Sequence, residues 1–170
     1  MKKIAVFGKP GGGKSTLSRA LAKQTGVKLY PLDLIEYKKN GERVSRDEYS
    51  KKHAEIVSED SWIIDGLGTL ESFWARIDAA DTLVYVDLPY RVHYWWVTKR
   101  LLKSPYVKPE GWPEGSSVWK GTLAGWKYLR LSRKFWTPEL FEKIQGAAKG
   151  KTVFRIASVK EINTFEKQFG

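Results

Sequence analysis

The sequence predicts an α/β fold in which parallel strands are flanked by helices on both faces, and three observations predict it. Apolar runs end in a glycine or an acid at Gly8, Asp65 and Asp87, as buried parallel strands do where their carboxyl ends meet a ligand. Stretches of helical spacing alternate with these runs, which requires crossover connections and a right-handed parallel sheet. The first run passes directly into Gly8-Lys9-Pro10-Gly11-Gly12-Gly13-Lys14-Ser15-Thr16, which fits Gly-x-x-x-x-Gly-Lys-Ser between a strand and a helix.

Each element follows in order. Ile4 to Phe7 reads as a buried strand, and Leu17, Ala20 and Leu21 give the next helix its apolar face, with Gly26 as its stop. Val27 to Tyr30 is a second, short strand, which Pro31-Leu32-Asp33 leaves at the edge where ligands sit. A polar stretch runs to Val44, and Ser45-Arg46-Asp47-Glu48 then opens a largely solvated helix to about Glu59 with a capping box. Trp62 to Asp65 is the third strand, Leu70 to Ala79 a short helix, and Thr82 to Asp87 the fourth strand.

From Pro89 a helix with Val92, Trp95 and Trp96 on one face runs to about Leu102. Pro105 to Ser117 is too rich in proline and glycine for core structure, and we read about 103–118 as a lid. A helix returns through Trp126 to about Phe135, and Thr137-Pro138 caps another. Thr152 to Ile156 is the fifth strand, and Ser158-Val159-Lys160-Glu161 opens the last helix. The 170 residues form one domain, 1–170, long enough to bury roughly 70% of the unfolded chain's surface.

Composition narrows the function. With no cysteine there are no disulfides, thiolate metal sites or cysteine nucleophiles, which fits the cytoplasm. Met1-Lys2-Lys3 precedes an apolar run too short for a signal peptide, and no apolar stretch approaches the roughly 20 residues of a membrane span. The net charge of +11 is unevenly placed: residues 91–170 hold 16 Lys and Arg against 6 Asp and Glu. A basic half attracts nucleic acid, an anionic membrane or a polyphosphate substrate.

The glycine-rich loop narrows that choice. Gly8, Pro10, Gly11, Gly12 and Gly13 let backbone amides turn toward phosphate oxygens, Lys14 reaches the terminal phosphates, Ser15 completes the shell of a Mg²⁺ ion, and Thr16 follows at the positive end of the helix. Asp65 and Asp87 both end apolar runs and are candidates for the carboxylate that orders the metal's water. Asp65 is favoured if the third strand lies beside the first. Asp33, at a strand's carboxyl end, is positioned to orient an acceptor hydroxyl or take its proton.

Arg100 continues the Val92 and Trp96 stripe, and Arg130 and Arg133 continue that of Trp126, so arginines stand at both feet of the lid as candidates to neutralise a transferring phosphate. The plainer reading is a solvated basic face, or arginine stacked on tryptophan. Trp112, Trp119 and Trp126 recur at seven-residue spacing and are expected mainly in the core. His53 and His93 have no partner spacing that indicates a metal or a triad, so both are read as structural.

These residues resemble those of the adenylate-kinase-like P-loop kinases, and within them the small group named for DNA topology modulation. The likeness covers nearly the whole chain, through Gly8 to Ser15, Leu32-Asp33, Trp62-Ile63-Ile64-Asp65-Gly66, Ala80-Asp81-Thr82, Asp87-Leu88-Pro89 and Lys99-Arg100. It implies a P-loop NTPase sheet of order 2-3-1-4-5 with a lid insertion, ATP with Mg²⁺ as donor, and an adenine pocket lined by the loop that holds Ser158. It also implies Lys14 and Ser15 on phosphate and metal, Asp65 in the metal's water shell, and Arg100 as a lid arginine. After Asp65-Gly66 the chain has Leu67-Gly68, where nucleoside monophosphate kinases tend to have Phe-Pro-Arg and the smaller group Asn-Tyr. Arg43, Arg46 and Arg76 are the candidates to replace that missing acceptor contact.

The resulting expectation is an ATP- and Mg²⁺-dependent phosphotransferase acting on a small acceptor such as a nucleoside or nucleotide. The alternative is a nucleic-acid-associated ATP-binding regulator that uses the basic, tryptophan-rich half. A GTPase is disfavoured because the chain has no Asn-Lys-x-Asp guanine motif.

Overall fold

The computed structural model describes residues 1–38, 42–103 and 118–169. Among them the strands are β1 (Lys3–Gly8), β2 (Leu29–Pro31), β3 (Trp62–Asp65), β4 (Thr82–Val86) and β5 (Thr152–Ile156). The helices are α1 (Lys14–Thr25), α2 (Asp33–Glu36), α3 (Arg46–Ser58), α4 (Leu70–Ala79), α5 (Tyr90–Lys103), α6 (Val118–Ser132), α7 (Pro138–Ala147) and α8 (Val159–Phe169). All strand pairs are parallel and the order is β2-β3-β1-β4-β5, as the sequence resemblance implied. The interior of the expected lid, 104–117, lies outside the described residues.

The central strands are apolar throughout because successive side chains enter opposite faces of a sheet covered on both sides. Ala5, Phe7, Trp62, Ile64, Leu83 and Tyr85 pack with Tyr49 and Ile56 of α3, Phe73 and Ile77 of α4, and Ile144 of α7. The alternate residues Ile4, Val6, Ile63, Val84 and Val86 pack with Leu17 and Leu21 of α1 and Ile162 and Phe165 of α8. Fully burying an aliphatic or aromatic side chain of this size contributes roughly 1.5–3 kcal/mol, so these two layers hold the sheet. Trp136 extends the first layer, stacked on Tyr85 at 5.4 Å between ring centroids.

Helix starts follow local chemistry. Ser45 Oγ accepts from Glu48 N at 3.1 Å, and Thr137 Oγ1 from Leu140 N at 3.3 Å, with Pro138 in the first turn. At α8 the box closes both ways, since Ser158 Oγ accepts from Glu161 N and Glu161 Oε2 accepts from Ala157 N. Gly26 ends α1 in the left-handed region at φ 68°.

Some expectations need correction. β2 begins at Leu29 rather than Val27, whose amide is held by Thr25 Oγ1 at 3.3 Å. The polar stretch after it contains a short helix: Leu32 and Ile35 are buried one helical turn apart and anchor α2. Trp126 is 41% exposed, so it does not serve the core as expected, and Trp95 of α5 is 59% exposed; Trp112 lies outside the described residues.

Candidate functional site

β1 ends at Gly8, whose φ of 141° and close approach to the Val86 backbone exclude any side chain. The loop beyond it leads to Gly13, the left-handed N-cap of α1, whose carbonyl accepts from the amides of Thr16 and Leu17. The positive end of α1 therefore opens at Lys14 and Ser15. Lys14 Nζ donates to the carbonyl of Lys9 at 2.8 Å, folding its side chain across the loop.

Parallel pairing brings the acids to this loop. Asp65 stands opposite Val6, and Gly66 N donates to Val6 O at 3.1 Å. On its other side Asp65 stands opposite Pro31 of β2, and Leu32 N donates to Asp65 O at 2.9 Å, so Asp33 emerges beside it, exposed. Asp65 is buried and hydrogen-bonded to Ser15. Burial pushes its carboxyl up, the charge of Lys14 and the Ser15 hydrogen bond pull it down, and Asp33 pushes it further up.

Asp65 Oδ1 is buried and has no hydrogen-bond partner among the described residues. An orphaned carboxylate oxygen beside Ser15 fits a Mg²⁺ ion and its water shell, which takes few protein ligands and the rest from phosphate and water. No group of three or more His, Cys, Asp or Glu able to hold a metal occurs among the described residues.

Asp87 sits in a different environment. It pairs with Lys9 Nζ, accepts from Arg155 Nη2 at 2.6 Å and Nε at 2.9 Å, and accepts from the Tyr85 hydroxyl at 3.1 Å. Burial pushes Asp87 up, but the hydrogen bonds from Lys9 and Arg155 outweigh it and hold the carboxyl below its ordinary range. Its oxygens are thus engaged by cations, whereas Asp65 has a vacant one.

The remaining candidates lie further out. Arg100 lies in the last turn of α5, and its side chain is outside the description. Arg130 is exposed on α6. Arg133 is exposed and stacks on Tyr90, its Cζ 4.9 Å from the ring centroid, so its observed contact is an aromatic stack, though on a tyrosine where a tryptophan was expected. Ser158 caps α8 and lines an open cleft of about 540 Å³ between β5 and α8, together with Phe154, Arg155 and Phe165.

Of the three arginines considered for the acceptor, Arg43 pairs with Glu36 and Arg46 lies 3.8 Å from Glu71, both exposed. Arg76 is buried: its Nη2 donates to the carbonyls of Gly66 at 3.1 Å and Leu67 at 2.7 Å, while Nη1 is buried without a partner among the described residues. Burial pulls its guanidinium down to about 10. The loop after β3 is thereby fixed from below by an arginine.

His93, read from the sequence as structural, lies against the glycine-rich loop. It is fully buried on α5, with Nδ1 2.8 Å from Pro10 O and Nε2 3.2 Å from Leu88 O. Burial lowers it to about 4; Lys14 and Lys9 reinforce the shift and the two carbonyls oppose it. The available signal was a polar residue four before Val97 and three before Trp96, inside an apolar helical stripe.

The fold, a five-stranded parallel sheet of order β2-β3-β1-β4-β5 with helices on both faces, is shared with solved kinase structures. The chain is similar in structure to a shikimate kinase from Acinetobacter baumannii in complex with shikimate, at 14% identity and TM-score 0.57, covering 99% of this chain and 90% of that one. A shikimate kinase from Bacteroides thetaiotaomicron matches at 16% identity and TM-score 0.53 over 97% and 94% of the two chains. A sugar kinase from a Janibacter species matches at 13% identity and TM-score 0.50 over 99% and 91%. No protein-family model matches the chain, and the search of curated proteins finds no match.

Proposed function

We propose that this protein transfers the terminal phosphoryl group of ATP, with Mg²⁺, to a hydroxyl of a small acceptor. The observation that carries the reading is the convergence of Lys14, Ser15, Asp65 and Asp33 at the carboxyl ends of β1, β3 and β2. The kinase names of the structural neighbours support it.

In this reading the loop amides and Lys14 hold the β- and γ-phosphates, and Ser15 and Asp65 hold the metal and its water. Mg²⁺ would neutralise charge developing between those phosphates. Asp33 orients the acceptor hydroxyl and takes its proton. Arg100, Arg130 and Arg133 are the candidates to meet the transferring group from the lid side, and Ser158 belongs to the loop that lines the adenine pocket. The acceptor is a nucleoside, a nucleotide or another small hydroxylated metabolite, in keeping with the resemblance to the group named for DNA topology modulation.

An acceptor screen tests the reading: ATP consumption measured with nucleosides, nucleotides and small hydroxylated metabolites. Asp33→Asn should abolish transfer while ATP still binds, and Lys14→Ala should cost at least ~100-fold in turnover. Unchanged turnover in Asp33→Asn would remove it from the mechanism.

One observation favours a second reading, an ATP-binding regulator on nucleic acid. α5 and α6 contain no acidic residue, and they expose Trp95, Trp126 and Tyr128 beside Lys99, Lys127 and Arg130. Such a surface stacks bases and pairs phosphates. Tight binding to single-stranded DNA or RNA that falls steeply with salt, with no acceptor found, would favour it over the kinase.

A further inference from the structure

We propose that His93 is a positioning residue of the phosphate loop: by holding the Pro10 carbonyl against α5, it aims the Gly11 amide at the bound polyphosphate. The inference rests on the reading of Gly8 to Ser15 as a phosphate cradle and adds a residue from outside that motif.

The loop lies directly on α5. A Cβ added at Gly11 would come within 2.8 Å of Val97 Cγ2, one at Gly12 within 2.7 Å of His93 Cε1, and one at Gly13 within 3.1 Å of Trp96 Cζ3. The glycine run is thus fitted to a helix face as well as to an anion. Within that face His93 is the polar residue, fully buried, with Nδ1 2.8 Å from Pro10 O.

Planarity turns this contact into a direction. The described peptides, Pro10–Gly11 included, are trans, and in a trans unit the carbonyl and the following N–H point opposite ways. A Pro10 carbonyl drawn toward α5 therefore sends the Gly11 N–H away from α5, toward the side where an anion must sit. Left free, that peptide can rotate and present its carbonyl oxygen to the phosphate, which repels it.

The neighbouring groups assign the donor. Leu88 O, 3.2 Å from His93 Nε2, already accepts from Lys9 Nζ at 3.0 Å. Pro10 O makes the shorter contact, so the neutral ring carries its proton on Nδ1 and donates it there. Lys9 is anchored in turn by Asp87 and by Leu88 O. The underside of the loop is tied to both α5 and the end of β4.

The test uses inorganic tripolyphosphate, which engages the loop without adenine or acceptor contacts, and MgATP, both titrated by calorimetry. His93→Leu should weaken both on the order of tenfold, the loss of about one hydrogen bond. His93→Gln, whose amide can donate to the same carbonyl, should recover most of that affinity, and in both variants KM for ATP should move more than kcat. In the wild-type protein, imidazole ¹⁵N spectra should show the proton on Nδ1, a readout that needs no variant to fold.

A His93→Leu protein that binds tripolyphosphate as tightly as wild type, a His93→Gln protein that fails to recover affinity, or a proton resident on Nε2 would each overturn the positioning role. A wild-type protein that binds neither probe would instead overturn the phosphate-cradle reading beneath it.

Discussion

Lowering the pH from 7 to 5 should destabilise this fold through two histidines that the interior keeps neutral. Burial lowers both His53 and His93 from 6.5 to about 4, with Arg76 adding to the shift at His53 and Lys14 and Lys9 at His93. Above the unfolded value neither state is charged and the term vanishes. As pH falls below it, the unfolded chain binds protons that the folded chain refuses, so stability is lost down to the folded value and then levels off. For a shift from 6.5 to about 4, the linkage relation gives about 1.8 kcal/mol per histidine between pH 7 and 5.

Residual solvent screening reduces the combined loss to about 2 kcal/mol. Asp81 and Asp87 are held below their ordinary range and titrate beneath this window, while Asp65, raised by burial, acts in the opposite sense. Urea denaturation followed by tryptophan fluorescence at pH 7 and pH 5 measures the loss, and the His53→Gln, His93→Gln double variant should halve it or better. A wild-type midpoint that does not move, or a double variant with the full slope, would refute the assignment.

Two glycine substitutions test the backbone account, both read by urea denaturation. Gly8→Ala places a Cβ 2.2 Å from Val86 O at φ 141°, against sheet backbone that has nowhere to go, and should cost at least ~3 kcal/mol or prevent folding; a cost under ~1 kcal/mol would show that β1 and β4 can part there. Gly26→Ala meets nothing within 4 Å and pays only for its left-handed φ of 68°, so it should cost about 1 kcal/mol. A much larger loss there would mean that the end of α1 packs more tightly than its open surroundings show.

The sheet was legible because its signals are local. Apolar runs of strand length, each followed by a helical stripe, determine parallel connections, and Ser45, Thr137 and Ser158 announce the helices they cap. The start of β2 was misplaced by two residues because Val27 has strand chemistry while its amide is claimed by Thr25. The positions of Lys14, Ser15 and Asp65 at the carboxyl ends of β1 and β3 were legible because their motif is contiguous or ends a strand. His93 and Arg76 were not, since what they do depends on which carbonyls the fold brings to them, and nothing in their spacing encodes Pro10 or Gly66 as partners. The exposure of Trp95 and Trp126 is a similar case: a tryptophan on a helix carries no mark of which way its helix faces.

The contact between the glycine run and α5 also bears on how such a loop can vary. Gly11 and Gly13 have φ of 70° and 79°, so a side chain at either is strained whatever lies nearby. Gly12 has no such φ, and what excludes a side chain there is the His93 ring at 2.7 Å, with Val86 Cγ1 next at 3.2 Å. Its identity is therefore set from another element, 81 positions along the chain. A small residue in place of His93 would lift the tightest of these contacts and leave only Val86 Cγ1 to give by a few tenths of an ångström, so what Gly12 can become is coupled to what stands at 93.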